Sequence, residues 1–195
     1  MAEIKSTMEK VMERLATMGP VSGQEIDADE ILKQGMRFAA QYMRGEINEF
    51  QTALAESQEA KRALLLKGIA QVLLRNIVLP RDADQQDAEK GMQGLLELGK
   101  GNRELLEVLG ETKKILDRFL EHKQQLRQQL ESAIRQQLEQ AMAQQGIPNN
   151  LPIKIDPSMH PKYQEEWGRI QNELQEQYSR ALNQYKEAVV NILGV

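Results

Sequence analysis

The sequence predicts an all-α protein: an elongated antiparallel hairpin of long helices, coiled-coil-like in its packing, with a C-terminal helix returning onto it. Three observations carry that expectation. Apolar residues recur at steps of three and four through most of the chain, the period of one helix face. No proline stands between Ile31 and Leu79 or between Asn102 and Gln145. Four of the six prolines crowd into residues 146–161, where helix is excluded and an extended connector favoured.

Residues 2–18 place Ile4, Met8, Val11, Met12 and Leu15 on one stripe, the pattern of an amphipathic helix, which Gly19-Pro20 stops. Ser22 with Glu25, or Asp27 with Glu30, can cap the next helix. Its apolar positions Leu32, Met36, Ala39, Met43, Ile47, Phe50 and Leu54 extend it over about residues 25–79 as one long helix or two abutting ones. Gly45 and Gly68 are the places where it can bend. Residues 63–79 are apolar almost all round, save that Lys67, Gln71 and Arg75 share one narrow edge. Such a segment belongs either at the centre of the fold or in an oligomer interface.

Pro80 ends that helix, and Asp82 or Asp84 can cap a restart. Residues 88–101 are punctuated by glycine, leaving one helix or a helix pair over about 84–145. Leu105, Leu109, Leu116, Phe119, Leu126 and Leu130 lie near a heptad seam that drifts to Ile134, Leu138 and Met142. At 1.5 Å per residue, residues 102–145 would form a rod on the order of 65 Å long, which needs a packing partner. Pro161 suits a first helical position, and Tyr163, Trp167, Ile170, Leu174, Tyr178, Leu182, Tyr185, Val189 and Ile192 stripe the last helix, which Gly194 ends. The expected organisation is an N-terminal helix (1–20), a long helical hairpin (21–145), a proline-rich connector (146–160) and a C-terminal helix packed on the hairpin (161–195).

Composition narrows function. With 29 acidic and 25 basic residues the net charge is −4, which gives no general attraction to nucleic acid, and no local basic patch interrupts it. The lack of cysteine excludes thiol catalysis and thiolate metal sites and accords with a cytoplasmic location. The charged start shows no export signal, and Ala2 excludes myristoylation. Lys67, Gln71, Arg75 and Asn76 make the most apolar stretch too polar to cross a bilayer.

Few residues suggest chemistry. Gly94 to Gly101 fits G-x-x-x-x-G-K, but Gly101 stands where a phosphate loop needs Ser or Thr, and the preceding residues read as helix rather than buried strand. A flexible helix junction is the stronger reading. His122 reads as a solvated helix residue and His160 as a cap before Pro161; no Glu-x-x-His pair supports a helical di-metal site. No catalytic residue, metal or cofactor is expected. The glutamines of residues 124–145, with Arg-Gln-Gln-Leu-Glu repeated from Arg127 and Arg135, suit a solvated helix surface.

The opening MAEIKSTMEKVMERL resembles the start of small, all-helical bacterial proteins of uncharacterised function. The resemblance implies no catalytic or binding residues. The expected activity is therefore that of a non-enzymatic scaffold or adaptor, a homo-oligomer that meets protein partners through helical surfaces. The expected interface residues are Met8, Met12, Leu15, Leu66, Leu73, Ile77, Tyr163, Trp167, Tyr178 and Tyr185, because methionine adapts to irregular partners and aromatics with polar tips suit interfaces. For the methionines and the aromatic stripe, packing onto this chain's own helices is the stronger reading. Helix 2–18, hinged at Gly19-Pro20 and Gly23, would be the mobile docking element. The alternatives are a chaperone-like holder of unfolded or secreted chains and a nucleotide-binding protein using Gly94–Gly101.

Overall fold

The computed structural model describes residues 23–50, 54–55, 57–81, 85–144 and 156–195. Among them the backbone forms five α-helices and no strand: α1 (Gly23–Arg44), α2 (Glu59–Asn76), α3 (Gln86–Leu98), α4 (Arg103–Gln144) and α5 (Pro161–Leu193), with a 3-10 turn at Pro157–Met159. The expected helix 2–18 and most of the proline-rich connector lie outside the described residues. The chain divides into two compact units, residues 1–72 with Val195, and residues 73–194.

Of the one long helix or two abutting ones expected over 25–79, the chain forms two, α1 and α2. Gly45 takes φ 78°, a left-handed conformation that costs glycine little, and its N–H donates to the Tyr42 carbonyl at 2.9 Å, closing α1. Beyond the break, Tyr42 and Phe50 pack with ring centroids 4.7 Å apart. Gly68, expected as a bend, is instead where α2 meets α1. A β-carbon on Gly35 would lie 3.2 Å from Gly68 Cα and closer still to the Leu65 carbonyl oxygen; one on Gly68 would collide with the Leu32 carbonyl oxygen. The two backbones touch because neither position carries a side chain. The predicted polar edge of α2 holds: Lys67, Gln71 and Arg75 are exposed, while Leu65, Ile69, Ala70 and Leu73 are buried.

The second unit begins with the end of α2. Leu73 and Ile77 are wholly buried. A β-carbon on Gly91 of α3 would come within 2.9 Å of the Leu73 carbonyl and 3.5 Å of Ile77 Cγ1, so the absence of a side chain lets α3 settle on this segment. Asp82 and Asp84, expected as caps, lie outside the described residues. The residue at the N-cap of α3 is Gln85, which makes no capping bond; its Nε2 donates to Asp117 Oδ1 at 3.2 Å, while its Oε1 is buried without a partner among the described residues.

α3 and α4 are separate helices. Lys100 and Gly101 take φ 51° and 74°, and Asn102 then caps α4, its Oδ1 accepting from Glu104 N at 2.9 Å. At about 1.5 Å per residue the 42 residues of α4 span on the order of 63 Å. Asp156 opens the 3-10 turn by accepting from Ser158 N and Oγ at 2.9 and 2.7 Å, a local closure where an extended connector was expected. His160 caps α5 as expected, its Nδ1 accepting from Lys162 N at 3.2 Å, and Gly194 ends the helix at φ 67°.

Candidate functional site

α4 and α5 run antiparallel, and the bonds between them give the register. Lys162 Nζ donates to Gln137 Oε1 at 3.3 Å and Tyr163 OH to Glu131 Oε1 at 3.3 Å. At the middle of α5, Tyr178 OH donates to the Arg118 carbonyl at 3.4 Å. Rising numbers on α5 thus meet falling numbers on α4. The apolar stripe of α5 supplies the contact: Tyr163, Leu174, Leu182 and Val189 are buried, with Trp167, Ile170, Tyr178, Tyr185 and Ile192 half-buried between them.

Each expected interface residue can now be placed. Met8, Met12 and Leu15 lie outside the described residues. Leu66 is half-buried, in the first unit. Leu73 and Ile77 have no exposed surface, and both pack within the chain against α3. Tyr163 is 5% exposed, and burial, reinforced by the Glu131 carboxylate, raises its phenol above the ordinary tyrosine range. Tyr178 packs edge-on against Phe119 at 5.4 Å and against His122 at 6.1 Å, its hydroxyl 3.5 Å from His122 Nδ1. His122 is therefore half-buried on the α4–α5 seam, not the solvated residue expected, because the register sets Tyr178 over it. Nothing in the one-dimensional spacing marks that meeting.

The packing is uneven along α4. Leu105, Leu109, Thr112, Leu116 and Phe119 are buried, and then only Ile134. Leu126 and Leu130 between them, and Leu138 and Met142 beyond, are half-buried. By the register above, Leu126 and Leu130 lie opposite the Trp167–Ile170 stretch, which is also half-buried. One further feature sits where α4, α5 and residues 78–81 meet: a cleft of about 630 Å³ floored by Phe119, Leu174 and Leu182 and edged by Arg81, Lys123 and Lys186.

The glycine motif resolves into a helix junction. Gly94, Leu95 and Leu98 are buried on α3. The N–H groups of Gly99, Lys100, Gly101 and Asn102 donate to the carbonyls of Leu95, Glu97, Leu96 and Gly99. A phosphate loop follows a strand and keeps its amides for the ligand; here the preceding element is helix and these four amides are spent on the turn. Among the described residues no group of three or more His, Asp or Glu side chains is placed to hold a metal ion. No described helix is long and apolar enough to cross a membrane.

Five α-helices and no strand among the described residues define the class: an all-helical protein. A model of DUF6657, a family of unknown function, matches residues 51–191, and the chain belongs to that family. The match runs from the segment before α2 almost to the end of α5, and so covers the α4–α5 seam and its cleft. No curated protein and no solved structure matches the chain.

Proposed function

We propose that the chain is a non-enzymatic helical adaptor of the cytoplasm that self-associates through the middle of its α4–α5 pair and offers its remaining helix faces to a protein partner. One observation supports this: between Phe119 and Ile134 the pair has no buried residue on α4, yet it carries Leu126 and Leu130 there and Trp167 and Ile170 opposite, all half-buried. Two helices alone leave their seam open on both flanks, and a helix stripe of this kind is buried fully only when a third or fourth helix covers it. A second copy related by a two-fold axis supplies two such helices at once and makes a closed, antiparallel four-helix layer. The polar surface around the seam, including Gln125, Gln128, Gln129 and Gln136, suits a rim that stays hydrated.

The test is molar mass by light scattering over a range of concentrations. The full chain is expected at twice its 22.2 kDa, and a Leu126→Glu, Trp167→Glu double variant at the single-chain mass with an unchanged far-ultraviolet circular dichroism spectrum. A full chain that stays at the single-chain mass at every concentration overturns the proposal. Should the glutamates reduce helicity, Leu126→Gln alone, which keeps size and helix propensity, serves in their place.

A further inference from the structure

The cleft beside Phe119 is more than a gap in packing. Its edge holds three cationic side chains from three different elements: Arg81 from the segment after α2, Lys123 from α4 and Lys186 from α5. No Asp or Glu lines it among the described residues. In a chain whose net charge is −4, a concave site with cations and no carboxylate stands against the molecule's own average. Asp82 and Asp84 follow Arg81 outside the described residues.

Each cation is held differently. Lys123 Nζ donates to the Arg81 carbonyl at 2.7 Å, which ties the 78–81 segment to α4 and spends one of its three N–H groups. The other lysine has no such tie. Lys186 makes no hydrogen bond or ion pair among the described residues, although Lys33, Lys113 and Lys114 each pair with a carboxylate at the surface. Burial alone pushes its ammonium below the ordinary lysine range. A half-buried ammonium with no counter-charge among the described residues is an unfavourable arrangement that an incoming anion would relieve.

The rest of the lining sets the other half of the specificity. Phe119, Leu174 and Leu182, each below 7% exposure, form an apolar floor, and Val78 at the mouth is 55% exposed. Gln171, Gln175, Ser179 and Asn183 lie at steps of four along α5 and so line one wall with neutral donors and acceptors. A volume of about 630 Å³ falls within the usual span of small-molecule sites.

We propose that this cleft binds a small amphiphilic anion, a single carboxylate or phosphate head on a short aliphatic tail, with the head at Lys186 and the tail on Phe119, Leu174 and Leu182. A cation is disfavoured by three like charges, and a neutral alcohol leaves Lys186 uncompensated. The lining of the cleft includes none of Leu126, Leu130, Trp167 and Ile170, the residues on which the self-association proposal rests.

Calorimetric titration of the full chain with octanoate, octyl phosphate, octanol and octylamine tests it, the two anions distinguishing a carboxylate from a phosphate source. At least one anion is expected to saturate at one per chain, with octanol and octylamine at least about tenfold weaker, the worth of a charge-assisted bond. Lys186→Met is expected to weaken the anion about tenfold and Lys186→Arg to retain it. Equal binding of octanol, wild-type affinity in Lys186→Met, or no saturable binding of either anion up to about 10 mM would each overturn the proposal.

Discussion

Lys186 shows how a single side chain can be read in both directions. Its folded-state pKa lies below the unfolded value of about 10.4, because burial penalises the ammonium. Below the depressed value the lysine is charged in both states and the folded chain carries the whole penalty. Between the two values the unfolded chain binds more protons, so the contribution to stability rises with pH and the penalty is gone above the ordinary lysine range. Lys186→Met is therefore expected to raise the melting temperature at neutral pH, with the gap to the wild type narrowing as pH approaches about 10.4. A gap that stays constant across that range would show that Lys186 is not the origin. The same variant separates folding from binding in the cleft, since it should hold its fold more firmly while binding an anion less well. No feature of the sequence marked Lys186: it sits in a helix beside Glu187, and its half-burial in the cleft exists only in the folded chain.

Elements were the most legible level. The stripe on α5, the helix start at Pro161 and its end at Gly194 are where the periodicity and the punctuating residues put them, because a 33-residue amphipathic helix repeats its signal nine times over. The polar edge of α2 was equally plain. What the period cannot distinguish is a glycine that bends a helix from one that admits a neighbour. Gly45 takes the left-handed conformation and breaks the chain; Gly68 stays helical and touches α1. Gly35→Ala or Gly68→Ala should therefore destabilise by about 1–3 kcal/mol, the usual effect of overpacking, even though alanine is the better helix former. Gly168→Ala, on α5 with nothing within 4 Å of the added carbon, should stabilise by roughly 0.5–1 kcal/mol. Urea unfolding of the three variants checks the contrast, and equal stability of Gly35→Ala and Gly168→Ala would refute the backbone contact. The caps of α3 were less legible, since Gln85, a residue with little capping preference, occupies the N-cap and turns its side chain to Asp117.

For the whole molecule, far-ultraviolet circular dichroism of the full chain should show the double minimum of α-helix; a β-dominated spectrum would contradict the fold class. That class was set by the sequence alone, because three- and four-step apolar spacing and long proline-free runs are local properties that survive whatever the helices later pack against. The helix junction at Gly94–Gly101 was also legible locally, in Gly101 and in the helical run before Gly94. The cationic cleft was not. Arg81 and Lys123 are 42 positions apart, and Lys186 belongs to another helix again, so a scan for basic runs finds nothing. Only the antiparallel register of α4 and α5 brings these charges to one apolar floor. Periodicity determines which face of a helix turns inward, but the sliding of one helix along another is fixed by contacts such as Tyr163 with Glu131 and Tyr178 with Phe119, and those exist only once the chain has folded.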